Sequence, residues 1–230
     1  MLRTVFLDAG GVLLYPNWWR VSEALAREGV TVSPDELASA DPPARRELDD
    51  LRTIGMTTDA SRGWLFFDLI LKHAGVDRSD ATSAALSHLH EYHRASNLWE
   101  YVPPDVIPAL EAMRARGLQL VVVSNANGTL RAHMDRLRMT PLFDTVLDSA
   151  DEGVEKPDPR FFRIALQRSG ARPESTIHVG DLYHVDVVGA RSAGLRGVLL
   201  DEASLRPDAD CPRVRTLNEL VERIGAGEFD

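Results

Sequence analysis

The chain has 230 residues, 44% of them hydrophobic and 27% charged, an ordinary globular composition that excludes wholesale disorder and collagen-like fibres. Its formal charge of −9 disfavours unspecific attraction to nucleic acid or anionic lipid, since either needs a basic surface. The one cysteine, Cys211, cannot form an internal disulfide and reads as a half-buried loop thiol in a reducing compartment. No run of about 18 apolar residues offers a membrane span. The apolar stretch in residues 1–14 is interrupted by Asp8 and lacks a basic flank and a cleavage site, so it does not read as a signal peptide. A cytoplasmic protein with neither nucleic acid nor membrane as partner is expected.

In chain order, Thr4–Leu7 is an apolar, partly β-branched run that stops at Asp8-Ala9-Gly10-Gly11-Val12 and reads as a strand followed by a tight turn. Residues 18–95 then carry helical spacing, in Val21 and Leu25 and again in Leu65, Phe66, Leu69 and Ile70. Breaks are expected at Ser33-Pro34, Asp41-Pro42-Pro43 and Gly75. Such an interval far exceeds the dozen or so residues that a crossover between parallel strands needs, so residues 17–96 are expected to be an inserted helical domain. Residues 15–17 and 101–104 serve as its linkers. A helix over 104–116 leads to a strand over 118–123 that ends in Ser124-Asn125. Beyond it come a helix over 129–138, a short strand over 145–147, and Lys156-Pro157-Asp158-Pro159 opening a helix to Ser169. A strand over 176–179 ends in Gly180-Asp181, with Asp186 five positions on. A helix over 187–193, a strand over 197–200 and a helix over 217–224 complete the pattern, and the tail from Gly225 is expected to fray. Alternation of this kind predicts an α/β fold, a doubly wound and mostly parallel sheet built from residues 1–16 and 97–230.

Open sheets of this type bind ligands beyond the carboxyl ends of their strands. Asp8, Asp181 and Asp186 converge there in this reading, and carboxylates so close cannot all ionise without a compensating cation. An all-oxygen set with no Cys/His cluster describes Mg²⁺ rather than zinc. Lys156 supplies a second positive charge for a phosphoryl oxygen. Ser124 offers a hydroxyl donor, and the backbone N–H groups from Asn125 onward complete a phosphate cradle. Asp8 alone among these carboxylates is flanked by small residues, so it is the one a substrate can approach for nucleophilic attack.

Taken together, Asp8-x-Gly-Gly-Val12, Ser124-Asn125, Lys156-Pro-Asp158-Pro159 and Gly180-Asp181-x-x-x-x-Asp186 resemble the motifs of the haloacid dehalogenase superfamily. The resemblance extends over essentially the whole chain, including a helical cap between the first two motifs. It implies a Rossmann-like core, a Mg²⁺-dependent phosphatase acting on a small phosphorylated metabolite through an aspartyl-phosphate, and these roles: Asp8 as nucleophile, Ser124 as phosphoryl donor contact, Lys156 as charge clamp, and Asp181 with Asp186 around the metal. The short interval from Ser124 to Lys156 leaves no room for a second cap at the other insertion point of the family.

One position departs from that pattern. Most phosphatases of the superfamily carry a second Asp two residues after the nucleophile as general acid and base, and Gly10 stands here instead. The Gly10 carbonyl can still ligate the metal, but the proton relay is lost. Three readings follow: a phosphatase whose leaving group needs little protonation, or in which water, a cap residue or His184 stands in; a non-catalytic phospho-ligand-binding or scaffold protein keeping the fold; and a metal-independent haloacid dehalogenase, against which Asp181 argues. Trp18, Trp19 and Arg20, at the entry to the insertion, are candidate substrate-specificity residues. His88, His90 and His93 read as a solvated helix, Arg45-Arg46 as part of a solvated charged face, Trp64, Phe66 and Phe67 as helical core, and Asp158 as a helix cap.

Overall fold

The computed structural model describes all residues, 1–230, in two compact units: Met1–Leu14 with Val102–Asp230, and Tyr15–Tyr101. The first holds one parallel sheet in the order β3-β2-β1-β4-β5-β6. Its strands are β1 (Thr4–Leu7), β2 (Gln119–Ser124), β3 (Thr145–Asp148), β4 (Thr176–Gly180), β5 (Arg196–Leu200) and β6 (Arg213–Val214). Strand order reverses between β1 and β4, the switch point of a doubly wound sheet. The β1 and β4 residues are buried throughout, as parallel strands covered on both faces must be. Phe6, Val121, Val123 and Leu147 pack one face against Phe161, Phe162, Ala165 and Ala190. No helix is long and apolar enough to cross a membrane.

The second unit contains α1 (Trp18–Arg27), α2 (Pro34–Leu48), α3 (Leu51–Met56), α4 (Asp59–His73) and α5 (Asp80–Ser96). The helices of the α/β unit follow as α6 (Val106–Ala115), α7 (Leu130–Arg136), α8 (Ser149–Glu152), α9 (Pro159–Ser169), α10 (Val188–Ser192) and α11 (Leu217–Gly225). Tyr15 and Tyr101 exchange backbone hydrogen bonds of 2.8 and 3.1 Å, so the helical unit begins and ends on a paired bridge a few residues outside 17–96. Its core joins Trp18, Val21 and Leu25 to Phe66, Phe67 and Ile70.

Local expectations fail where packing overrides chain chemistry. Pro42 and Pro43 do not break α2 but lie inside it. The loss of about 3 kcal/mol expected of an interior proline is offset by a Ser33/Glu36 capping box, by the buried stripe Leu37, Ala40, Ala44 and Leu48, and by Arg45 bonding back to Asp41 across the prolines. That bond also corrects the solvated-face reading of Arg45: Asp41 and Asp49 are buried, and Arg45 lies over the Tyr15 and Phe66 rings. Of the three histidines on α5, only His88 is exposed; the other two are half-buried. His90 packs 4.4 Å from the Trp64 ring, and His93 Nδ1 accepts the Leu98 N–H at 3.1 Å. Nor does the C-terminus fray. Phe229 is buried, its carbonyl accepts from Arg196, and the Asp230 carboxylate accepts the Leu2 N–H at 3.0 Å.

Candidate active site

Register decides which residues meet. Leu7 pairs with Val122 of β2 and with Val179 of β4, so Asp8 emerges at the carboxyl rim between strands that end in Ser124 and Gly180. The loop after it turns at once: the Ala9 carbonyl accepts the N–H groups of Leu13 and Leu14, both at 2.9 Å. Gly11 has φ 74°, a left-handed conformation that favours glycine. Gly10 bridges to Leu14.

The Asp8 Oδ1 accepts the Ala9 N–H at 2.7 Å and lies 2.9 Å from Lys156 Nζ. Lys156 is wholly buried, and its Nζ also donates to Asp186 Oδ1 at 2.8 Å. Asp186, equally buried, shares that oxygen with His178 Nε2 at 3.0 Å, while its Oδ2 accepts the Leu182 N–H at 3.0 Å. Ionised groups this deep survive only when paired and hydrogen-bonded on all sides. Burial alone would depress Lys156, yet the attraction of Asp186 and Asp8 outweighs it and holds the ammonium above its ordinary pKa. Burial alone would raise Asp186, but the Lys156 charge and the His178 hydrogen bond hold it below the usual carboxylate range. For His178 burial prevails, pushing the imidazole below its ordinary value. Gly180 is demanded by the same packing, because a Cβ there would sit 2.0 Å from Asp186 Cγ.

Two further residues hold the rim. Asn125 clamps the Lys156 backbone, accepting its N–H at 2.7 Å through Oδ1 and donating to its carbonyl at 3.0 Å through Nδ2. The sequence points the backbone N–H groups from Asn125 onward at a phosphate; the Asn125 side chain, in addition, positions the lysine loop. Asp148, the register partner of Ser124, accepts the N–H groups of Gly128 at 2.8 Å, Leu130 at 3.2 Å and Ala150 at 3.0 Å, fixing the loop after β2. Ser124 is buried, its hydroxyl in a long 3.4 Å contact with the Asn125 carbonyl that a better acceptor would displace. Asp158 caps α9 through the Arg160 N–H at 2.8 Å.

Carboxylate oxygens of Asp8, Asp181 and Asp186 lie within 4.8 Å of one another. The turn carrying Asp186 is a π-helix, Tyr183–Val187, where His184 sits edge-on to Tyr183 at 5.1 Å. Neither His178 nor Asp148 was found from sequence. The available signal was a polar residue inside an otherwise aliphatic strand, Ile177-His178-Val179, and a carboxylate closing the short third strand.

In the helical unit, Trp18 is a core residue, whereas Trp19 is 75% exposed. Arg20 donates to Glu100 at 2.9 Å and lies 3.8 Å over the Tyr92 ring. Glu100 also accepts from Asn17 and Tyr92.

The model of the haloacid dehalogenase-like hydrolases matches residues 2–194. Among curated relatives, the glyceraldehyde 3-phosphate phosphatase of Methanopyrus kandleri is 31% identical over 69% of this chain and 72% of its own length. The ribulose-1,5-bisphosphate 5-phosphatase of Halopiger xanaduensis is 29% identical over 87% of this chain and 85% of its own. The haloacid dehalogenase-like hydrolase domain-containing protein 3 of Mus musculus is 36% identical over 61% of this chain, which spans 56% of that relative. Among solved structures, a 2-haloacid dehalogenase from Pseudomonas syringae superposes with a TM-score of 0.60 at 25% identity, over 99% of this chain and 100% of that one.

Proposed function

Because the chain belongs to the haloacid dehalogenase-like hydrolases, we propose that it hydrolyses a small phosphorylated metabolite with Asp8 as the nucleophile. The observation that carries this reading is the contact of a fully buried lysine with Asp8 at 2.9 Å, on a rim where three carboxylates cluster within 4.8 Å. Such a donor set is all oxygen, the ligand type that Mg²⁺ takes. Asp8, Asp181 and the Gly10 carbonyl would hold it. Asp186, whose oxygens already accept from Lys156, His178 and Leu182, adds its charge and anchors the lysine. When bound, the ion neutralises the cluster and polarises the phosphoryl oxygens.

The residues divide the remaining work. Hydrogen bonds to Asp8 Oδ1 orient the carboxylate so that Oδ2 attacks phosphorus, forming an acyl phosphate as the bond to the leaving oxygen breaks. The Lys156 ammonium balances charge on the transferring group, and the Ser124 hydroxyl donates to it. Water then attacks the same phosphorus, releasing phosphate and restoring Asp8. Gly10 supplies no proton, a loss typically of about 10²- to 10⁴-fold, so acyl phosphates and esters of acidic alcohols are the favoured substrates. We assign the inserted helices the role of cap and the cytoplasm as location, in keeping with a lone half-buried thiol and a formal charge of −9.

A panel of phosphate esters and acyl phosphates, with and without Mg²⁺, tests the reading. Mg²⁺-dependent release of phosphate, abolished in Asp8→Asn, is expected. Gly10 gives the scaffold reading its one specific support, and binding of inorganic phosphate with no turnover on any member of the panel would establish it. Metal-independent release of halide from 2-chloropropionate would establish the dehalogenase reading instead.

A further inference from the structure

We infer that His178 is a positioning residue for phosphoryl transfer: its Nε2–H holds Asp186 in the orientation that aims the Lys156 ammonium at Asp8. The inference rests on the reading of Asp8 as nucleophile and concerns a residue two positions before Gly180-Asp181, buried in the sheet. Its neighbours Ile177 and Val179 are wholly buried aliphatics, and a parallel strand covered on both faces calls for the same at 178. An imidazole stands there instead, edge-on to Phe162 at 4.9 Å and paired in register with Phe6.

The hydrogen bonds fix its tautomer. Asp186 receives the Lys156 ammonium and is therefore an ionised, acceptor-only group. The hydrogen in the 3.0 Å contact between His178 Nε2 and Asp186 Oδ1 must then belong to the imidazole. Nδ1 is left buried with no partner, a sacrifice a leucine at this position would not make. What the sacrifice secures is the third donor on Asp186. Without it the carboxylate is held only by Lys156 on one oxygen and Leu182 on the other, free to turn with the lysine that follows it. The relay His178–Asp186–Lys156–Asp8 closes at 3.0, 2.8 and 2.9 Å, and only its last member reaches solvent, at 14% side-chain exposure.

Two substitutions separate positioning from packing. His178→Gln carries an amide N–H close to the place of Nε2, whereas His178→Leu fills similar volume with no donor. Crystal structures of both variants, and steady-state hydrolysis of p-nitrophenyl phosphate with Mg²⁺, are the readouts. In His178→Leu, Lys156 Nζ should leave hydrogen-bonding distance of Asp8, and kcat should fall ~10²-fold with KM changed less than ~2-fold. In His178→Gln, the contact should persist and kcat should return to within ~10-fold of wild type. Retention of either the Lys156–Asp8 contact or of full kcat in His178→Leu overturns the inference, as does equal loss in both variants. If His178→Leu fails to fold, His178→Asn, whose amide is one bond too short to reach Asp186, takes its place. Should the wild type hydrolyse neither p-nitrophenyl phosphate nor acetyl phosphate, the proposed function falls, while the Lys156–Asp8 distance in the two variants still decides the role of His178.

Discussion

Both units bury charge, but they end their ion pairs differently. In the helical unit, Asp41 and Arg45 bond within a single helix, and Arg20 meets Glu100, Asn17 and Tyr92 around the entry and exit of the insertion. Each of these groups is satisfied by residues of the same unit and ties chain to chain. In the α/β unit, the ions come from the ends of different elements, and the series His178, Asp186, Lys156 finishes on a carboxylate that solvent can touch. The Asp41–Arg45 pair closes within α2 and holds that helix, whereas the series from His178 opens at Asp8, the carboxylate proposed as nucleophile.

The largest effect should therefore fall on Asp8. Asp8→Asn is expected to lower turnover about 10⁴-fold or more, the scale of removing a covalent nucleophile, with thermal stability nearly unchanged; a matching loss of stability would make Asp8 structural. Next comes Lys156→Met, which strands Asp186 in the core. About 3–5 kcal/mol of stability should disappear together with activity, measurable by urea unfolding and ester hydrolysis on the same preparation.

Glu100 sharpens the contrast through pH. Partial burial alone would raise its carboxyl, but hydrogen bonds from Arg20, Asn17 and Tyr92 hold it below the ordinary 4.5. A depressed folded-state pKa contributes stability that is complete above 4.5 and lost as pH falls through the folded value. Melts of wild type and Glu100→Gln should differ by under about 1 kcal/mol at pH 7, given solvent screening, and converge in acid. Divergence in acid would reverse the sign. The smallest effect is expected of Trp19→Ala, within about 0.5 kcal/mol in stability, since the ring is 75% exposed; any change in KM would then report on substrate alone.

How far the sequence could be read follows from the same contrast. Strand ends are legible because parallel register is set by topology: once Thr4–Leu7, 118–123 and 176–179 are strands, Asp8, Ser124 and Asp181 have to share a rim. The side-chain bonds across that rim are not legible, because no local pattern tells that Asn125 clamps the Lys156 backbone or that His178 reaches Asp186. Pro42-Pro43 misled because local chain chemistry says break, while the capping box and the buried stripe of α2 lie outside the dipeptide. Phe229 misled for the converse reason: its burial depends on contacts of the C-terminal tail with the first and fifth strands' neighbourhoods, through Leu2 and Arg196. In the helical unit the aromatic core was visible in Trp64, Phe66 and Phe67, but which ions would be buried was not.

The most direct measurement is rapid quenching of the wild-type protein with acetyl phosphate and Mg²⁺, followed by peptide mass analysis. One phosphoryl group is expected on the peptide bearing Asp8, appearing before free phosphate accumulates and absent in Asp8→Asn. Phosphate released at full rate with that peptide never modified, or modification of a different residue, would contradict Asp8 as the nucleophile.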